Sequence, residues 1–140
     1  MFGSCRIGHP LNVEYRLPWE AESPNAARQL LSDYAEDRLP EMEVDELALM
    51  VSEVVTNAVK HGSPEADGNI GLRIDEEQDV LRVVVTDGGH NFAFDPGSIE
   101  DSDRNEHFGL LLVDRLADRW GLSVDGRKAV WLEVDTPRSH

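Results

Sequence analysis

Glu46-Leu47-Ala48-Leu49-Met50-Val51-Ser52-Glu53-Val54-Val55-Thr56-Asn57-Ala58-Val59-Lys60-His61-Gly62 is the stretch on which the fold turns. Val44, Leu47, Ala48, Val51, Val54, Val55 and Ala58 recur at helical spacing and form one apolar face, so a helix is expected from about Val44 to Lys60. On a helical wheel Glu53 and Asn57 fall together on the opposite flank, with His61 a further turn along. A carboxylate, an amide oxygen and an imidazole in one row can hold a metal ion, a water and a phosphate together.

Outward from this helix, the chain alternates short strands with helices. Val13 to Leu17 reads as a first strand, closed by Pro18, after a tail over residues 1–12. Ser23-Pro24 is a helix start, a capping side chain followed by proline at the first helical position. Ala27, Leu30, Leu31, Tyr34 and Arg38 line one side of that helix, which ends before Pro40. Downstream, Ser63 to Gly68 is a loop by composition. Ile70, Leu72 and Ile74 alternate with polar or small residues, and the polar segment Asp75 to Asp79 turns the chain into the β-branched run Val80 to Thr86. Leu112, Val113, Leu116, Ala117 and Trp120 make the stripe of a third helix ended by Gly121. A hairpin at Asp125-Gly126 then joins two closing strands.

The expected order is β-α-α-β-β-loop-α-β-β. Hairpins require antiparallel pairing, so the fold class is α+β: a two-layer α/β sandwich, mostly antiparallel, with helices on one face of the sheet. A doubly wound parallel sheet is disfavoured. Residues 13–140 form a single domain in this reading, and residues 92–107, rich in Gly, Pro and Asp, form a loop long enough to be functional.

The totals narrow the function. A chain of 140 residues with 40% hydrophobic content supports one domain with a real core. No apolar run reaches membrane-spanning length, and the first residues lack the apolar core of a secretory signal, so a cytoplasmic location is expected. A single cysteine, Cys5, excludes an internal disulfide framework and a cysteine-rich zinc site. The net charge of −15 repels nucleic acid and anionic membrane surfaces. That charge suits plain solubility or recruitment of a basic protein partner, and charge alone does not choose.

Three further features carry chemistry. Asp87, at the end of a buried strand and before Gly88 and Gly89, can accept a hydrogen bond from an exocyclic amine, although Asp-Gly-Gly alone reads as a turn. Gly109 and Leu110 open a helix whose free N–H groups favour an anion, although a glycine there is also a simple helix start. Glu53 and Asn57 alone would be solvent-facing decoration. What sets that reading aside is the co-occurrence, in order, of the polar helix pair, the Asp-Gly-Gly strand exit, the long loop and the glycine-started helix.

In that order the chain resembles the Bergerat-fold (GHKL) ATP-binding superfamily of gyrases, molecular chaperones and histidine kinases. Within it, the resemblance is to bacterial anti-sigma factor serine/threonine kinases and stand-alone ATP-binding regulators. It covers about Arg16 to Val134. Glu53-Val54-Val55-Thr56-Asn57-Ala58-Val59-Lys60-His61-Gly62 looks like the family's N box, Asp87-Gly88-Gly89 like its first glycine box, and Phe108-Gly109-Leu110-Leu111-Leu112-Val113 like its second.

The resemblance implies ATP and Mg²⁺ as cofactors, with Asn57 as the metal ligand and Glu53 as general base toward a substrate serine. Asp87 would bind the adenine amino group, Gly89 would give the base room, and Gly109 and Leu110 would offer backbone N–H groups to the phosphates. His61 would stand near those phosphates, and residues 92–107 would form the lid. The implied function is a serine-protein kinase that phosphorylates an anti-sigma factor antagonist and sequesters a sigma factor; a homodimer is compatible with it. The catalytic domain of a histidine kinase is disfavoured, because the chain has no room for a helical phospho-acceptor segment.

The chain departs from the family pattern in three places. Asn91 stands at the second glycine of the first box, and asparagine is the residue next best able to hold φ > 0. His107 replaces a glycine that usually opens the second box. Ala129 stands where a threonine is common, at a cost of about 1 kcal/mol for one hydrogen bond near adenine. These departures motivate the alternative, a non-catalytic nucleotide-sensing partner-switch module.

Overall fold

β-Branched and aliphatic residues at every second position give each strand one apolar face, and burying that face organises the molecule. The computed structural model describes residues 11–61, 63–88, 108–124 and 128–136. Its elements are β1 (Leu11–Pro18), α1 (Ser23–Ala35), α2 (Glu41–His61), β2 (Asn69–Glu77), β3 (Val80–Asp87), α3 (Phe108–Leu116), β4 (Arg119–Val124) and β5 (Lys128–Asp135). The strands form one five-stranded sheet in the order β1-β2-β3-β5-β4. Every described pairing is antiparallel. The α+β class and the order of the described helices and strands are therefore as expected.

Leu17, Ile70, Leu72, Ile74, Leu81, Val83, Val85, Leu132 and Val134 line one face of the sheet and are buried with the helices in one core. All seven apolar positions of the α2 stripe are buried, and Met50 joins them. α2 lies centrally, touching α1, α3 and β3. The opposite face carries paired charges: Arg73 with Asp75, and Arg82 and Arg119 with Glu133.

Several boundaries differ from expectation for physical reasons. β1 begins at Leu11, because Leu11 and Asn12 pair with Glu76 and Asp75 in the sheet. Ser23 does not cap α1; its hydroxyl donates to the Pro18 carbonyl, and Glu22 occupies the cap position without a side-chain hydrogen bond. Arg38 lies beyond the last residue of α1 and stacks over Tyr34 at 4.1 Å while pairing with Glu76 at 2.8 Å. α2 starts at Glu41, a turn early, because the Pro40 carbonyl already accepts the Val44 N–H at 3.0 Å. Glu41 and Glu43 in that first turn suit the helix dipole.

The β2–β3 turn is confined to Gln78 and Asp79, since Asp75 to Glu77 remain paired. The largest correction concerns Trp120 and Gly121. α3 ends at Leu116, and both residues belong to β4, where Trp120 pairs with Leu132 and Gly121 with Trp131. Gly121 admits the Trp131 ring, because a Cβ there would stand 2.7 Å from it.

Candidate functional site

The C-terminal half of α2 separates its polar groups into two kinds. Ser52 and Thr56 turn their hydroxyls back to the helix carbonyls of Leu49 and Ser52, at 2.9 and 2.8 Å. Glu53 and Asn57 are half-buried, one turn apart. The amide nitrogen of Asn57 is fully buried and has no hydrogen-bond partner among the described residues. A buried donor left unmade is costly, so this amide marks a place where the fold reserves a polar group for something else.

Asp87 ends β3 on the face that α2 covers, at 4% exposure. The Gly88 N–H donates to the Ser63 carbonyl at 2.7 Å, and a Cβ on Gly88 would stand 2.1 Å from the Pro64 carbonyl oxygen. The glycine is therefore demanded by the protein's own loop, a reason that sequence reasoning missed. Nothing local in Asp87-Gly88-Gly89 signals it, because Pro64 is far away in sequence.

Phe108, Gly109 and Leu110 form the first turn of α3, which packs on α2. Leu110 is buried at 5% exposure, and the first N–H groups of a helix have no partner within the helix itself. β3, α2 and α3, the elements that carry Asp87, Glu53 with Asn57, and Gly109 with Leu110, thus belong to one packed unit. His61 ends α2, and its side chain lies outside the described residues. Gly89, Asn91, His107 and the remainder of the expected lid, 92–107, lie outside them as well. Ala129 pairs with Thr86, and the two share the face of the sheet opposite to that of Asp87, so position 129 does not border Asp87 on the side that α2 covers.

A histidine kinase-like ATPase domain model matches residues 17–134. The chain belongs to that family. The match spans nearly the whole fold, from the end of β1 to the penultimate residue of β5. A Staphylococcus aureus (strain MSSA476) protein named serine-protein kinase RsbW is 29% identical over 119 residues, covering 76% of this chain and 75% of the relative. The protein of the same name from strain Newman gives the same figures. The crystal structure of the RsbU and RsbW domains of Rv1364c from Mycobacterium tuberculosis superimposes with a TM-score of 0.67 over 92% of this chain at 16% identity. This chain spans 33% of that polypeptide, and the likeness is one of fold.

Members of this family use ATP, and the donor set here fits an oxygen-liganded divalent cation held mainly by its substrate. No cluster of three or more His, Cys, Asp or Glu side chains that would cage a metal exists among the described residues. Mg²⁺ needs no such cage, since it keeps several waters and is completed by phosphate oxygens. Besides that buried nitrogen, the Asn57 amide carries an oxygen, the kind of ligand such an ion takes, so the residue type fits a cation completed by water and phosphate oxygens. None of the described helices is long and apolar enough to cross a membrane.

Proposed function

We propose that this domain is an ATP-dependent serine-protein kinase that phosphorylates a serine of an anti-sigma factor antagonist and also sequesters a sigma factor, acting in the cytoplasm. The observation that carries this reading is the buried, unpartnered amide nitrogen of Asn57 one turn beyond Glu53, in a family member similar to proteins named serine-protein kinase RsbW. Glu53 takes the proton from the serine hydroxyl, whose oxygen attacks the γ-phosphorus; the bond to the β-bridging oxygen breaks, leaving ADP and phosphoserine. Asn57 holds Mg²⁺, which when bound neutralises charge on the phosphates. Asp87 accepts from the adenine amine, Gly89 leaves room for the base, and the Gly109 and Leu110 N–H groups and His61 face the phosphates. Residues 92–107 close over the nucleotide, and two copies of the chain pair as a homodimer.

Calorimetric titration with ATP and Mg²⁺, followed by transfer to serine in partners pulled down from the native cytoplasm, tests the proposal. Binding and transfer that Glu53→Gln nearly abolishes supports it. Equal transfer by Glu53→Gln removes the base assignment. Binding without transfer leaves a nucleotide-sensing partner switch, and no binding at all leaves an interaction module.

A further inference from the structure

The loop between α2 and β2 is held far more firmly than its composition suggests. Glu65 sits in it with a side chain only 5% exposed and 2.6 Å from Arg16 of β1. Arg16 also grips Asp67 through two donors, Nε at 3.0 Å and Nη2 at 2.8 Å. Within the loop the Glu65 N–H donates to Asn69 and the Gly68 N–H returns to Glu65, with Gly68 at φ +82°. Glycine is needed there because an L side chain rarely adopts that φ.

The guanidinium reaches Glu65 by crossing β2 over Gly71. A Cβ at that position would stand 2.7 Å from Arg16 and 3.4 Å from the Glu65 carboxylate, with the Thr86 side chain at 3.7 Å on the far side. Thr86 immediately precedes Asp87. The same loop supplies the Ser63 carbonyl and the Pro64 backbone that press against Gly88, immediately after Asp87. That loop thus presses on the residue that immediately follows Asp87, and it is pinned to the edge strand of the sheet by an ion pair whose carboxylate is buried while its guanidinium is partly exposed. A buried carboxylate that loses its cation is left uncompensated, so removing Arg16 gives the loop a strong reason to move.

We propose that Arg16 and Glu65 are positioning residues for the nucleotide base: their ion pair across Gly71 clamps the 63–68 loop against Gly88 and so fixes the orientation in which Asp87 meets adenine. The proposal rests on the nucleotide reading above. Neither residue touches the nucleotide; both act through the backbone of residues 63–65 and 88. The clamp serves discrimination between bases, since an acceptor held rigidly favours an amine and disfavours a carbonyl at the same position of the purine.

The test is calorimetric binding of ATP and GTP, each with Mg²⁺, to the wild-type chain and to Arg16→Ala, Glu65→Ala and Glu65→Gln, with folding checked by denaturant unfolding. Expected is a loss of ATP affinity of about tenfold in the alanine variants with GTP affinity nearly unchanged, so that discrimination collapses. Glu65→Gln keeps the shape of the side chain and folds even where alanine does not; a smaller loss of the same sign is expected. A structural role alone would lower both affinities in parallel, and that result overturns the proposal. So does unchanged discrimination in every folded variant. A wild-type chain that binds neither nucleotide overturns the functional reading together with the role given to this pair. That outcome is distinct from a wild type that discriminates and variants that discriminate equally well, which overturns the clamp alone.

Discussion

Thr56 and Asn57 stand side by side on α2 and treat their polar groups in opposite ways. The Thr56 hydroxyl is closed onto the Ser52 carbonyl at 2.8 Å, whereas the Asn57 amide nitrogen is buried with no partner among the described residues. A helix interior that leaves such a donor unsatisfied is giving up stability at that point, which is the usual pattern where a site is prepared for a ligand. Asn57→Ala removes the orphan donor and replaces asparagine by a better helix former, a gain of about 0.5 kcal/mol from propensity. The expected outcome is an apo protein as stable as the parent or up to about 1 kcal/mol more stable, with the thermal shift produced by ATP and Mg²⁺ lost. Denaturant unfolding and melting with and without nucleotide check it; a variant clearly less stable than the parent that keeps its nucleotide shift would refute the assignment.

Gly121 and Trp131 give a prediction on the other side of the sheet. The ring lies against Gly121, where a Cβ would stand 2.7 Å from it, while Arg82 stacks over it at 4.6 Å. A methyl at 121 must push the ring toward the guanidinium or splay β4 from β5. Gly121→Ala is expected to destabilise by about 1–3 kcal/mol, as overpacking does. Nucleotide binding should change little, because Asp87 and α2 lie on the opposite face. An unchanged denaturation midpoint would show that the ring has room to move.

The contrast between these residues shows what the sequence could disclose. The α2 stripe from Val44 to Ala58, the alternation in β2 and β3 and the antiparallel class were legible, because the period of apolar residues reports directly on burial. Trp120 misled because a residue four beyond Leu116 fits a helical stripe as well as it fits an inward strand position; the deciding fact, the ring of Trp131 over Gly121, is a cross-strand contact. The same holds at the site. Glu53 and Asn57 were legible as a local pair one turn apart, but the need for glycine at 88 arises from Pro64, and the burial of Glu65 arises from Arg16. Ser23 was a plausible cap by type, yet its hydroxyl found the Pro18 carbonyl instead. Side chains with competing partners are decided by tertiary geometry, which composition does not contain.

The loop clamp has a pH signature. The Arg16 guanidinium, hydrogen-bonded to Asp67, holds that carboxyl down at about 2, below its ordinary 3.8. Because the folded value is the lower one, the linked stabilisation is present above pH 3.8 and is lost as pH falls through about 2. Asp67 is exposed, so the effect is local to the loop rather than to the whole domain. A carboxyl chemical-shift titration should place Asp67 near 2 in the parent and higher in Arg16→Ala, with the Asn69 N–H still donating to it. Identical titrations in the two proteins would mean that Arg16 does not hold Asp67 in solution.

Tyr34 carries the opposite signature at high pH. Burial, reinforced by its hydrogen bond to the Glu76 carboxylate at 3.0 Å, pushes its phenol up to about 12. The folded value is raised above the ordinary 10, so the associated stability is complete below pH 10 and disappears as pH rises through about 12. Tyr34→Phe keeps the ring under Arg38 but deletes the hydroxyl that Glu76 accepts from, a loss of about 1 kcal/mol at neutral pH. Compared by denaturant unfolding at neutral pH and at about pH 11, the parent should lose its advantage over the phenylalanine variant as the phenol ionises in the unfolded chain. The ultraviolet absorbance of tyrosinate provides an independent reading: the step near 12 should vanish in Tyr34→Phe. A stability gap that stays constant through that range would show that the phenol is not held in its neutral form by the fold.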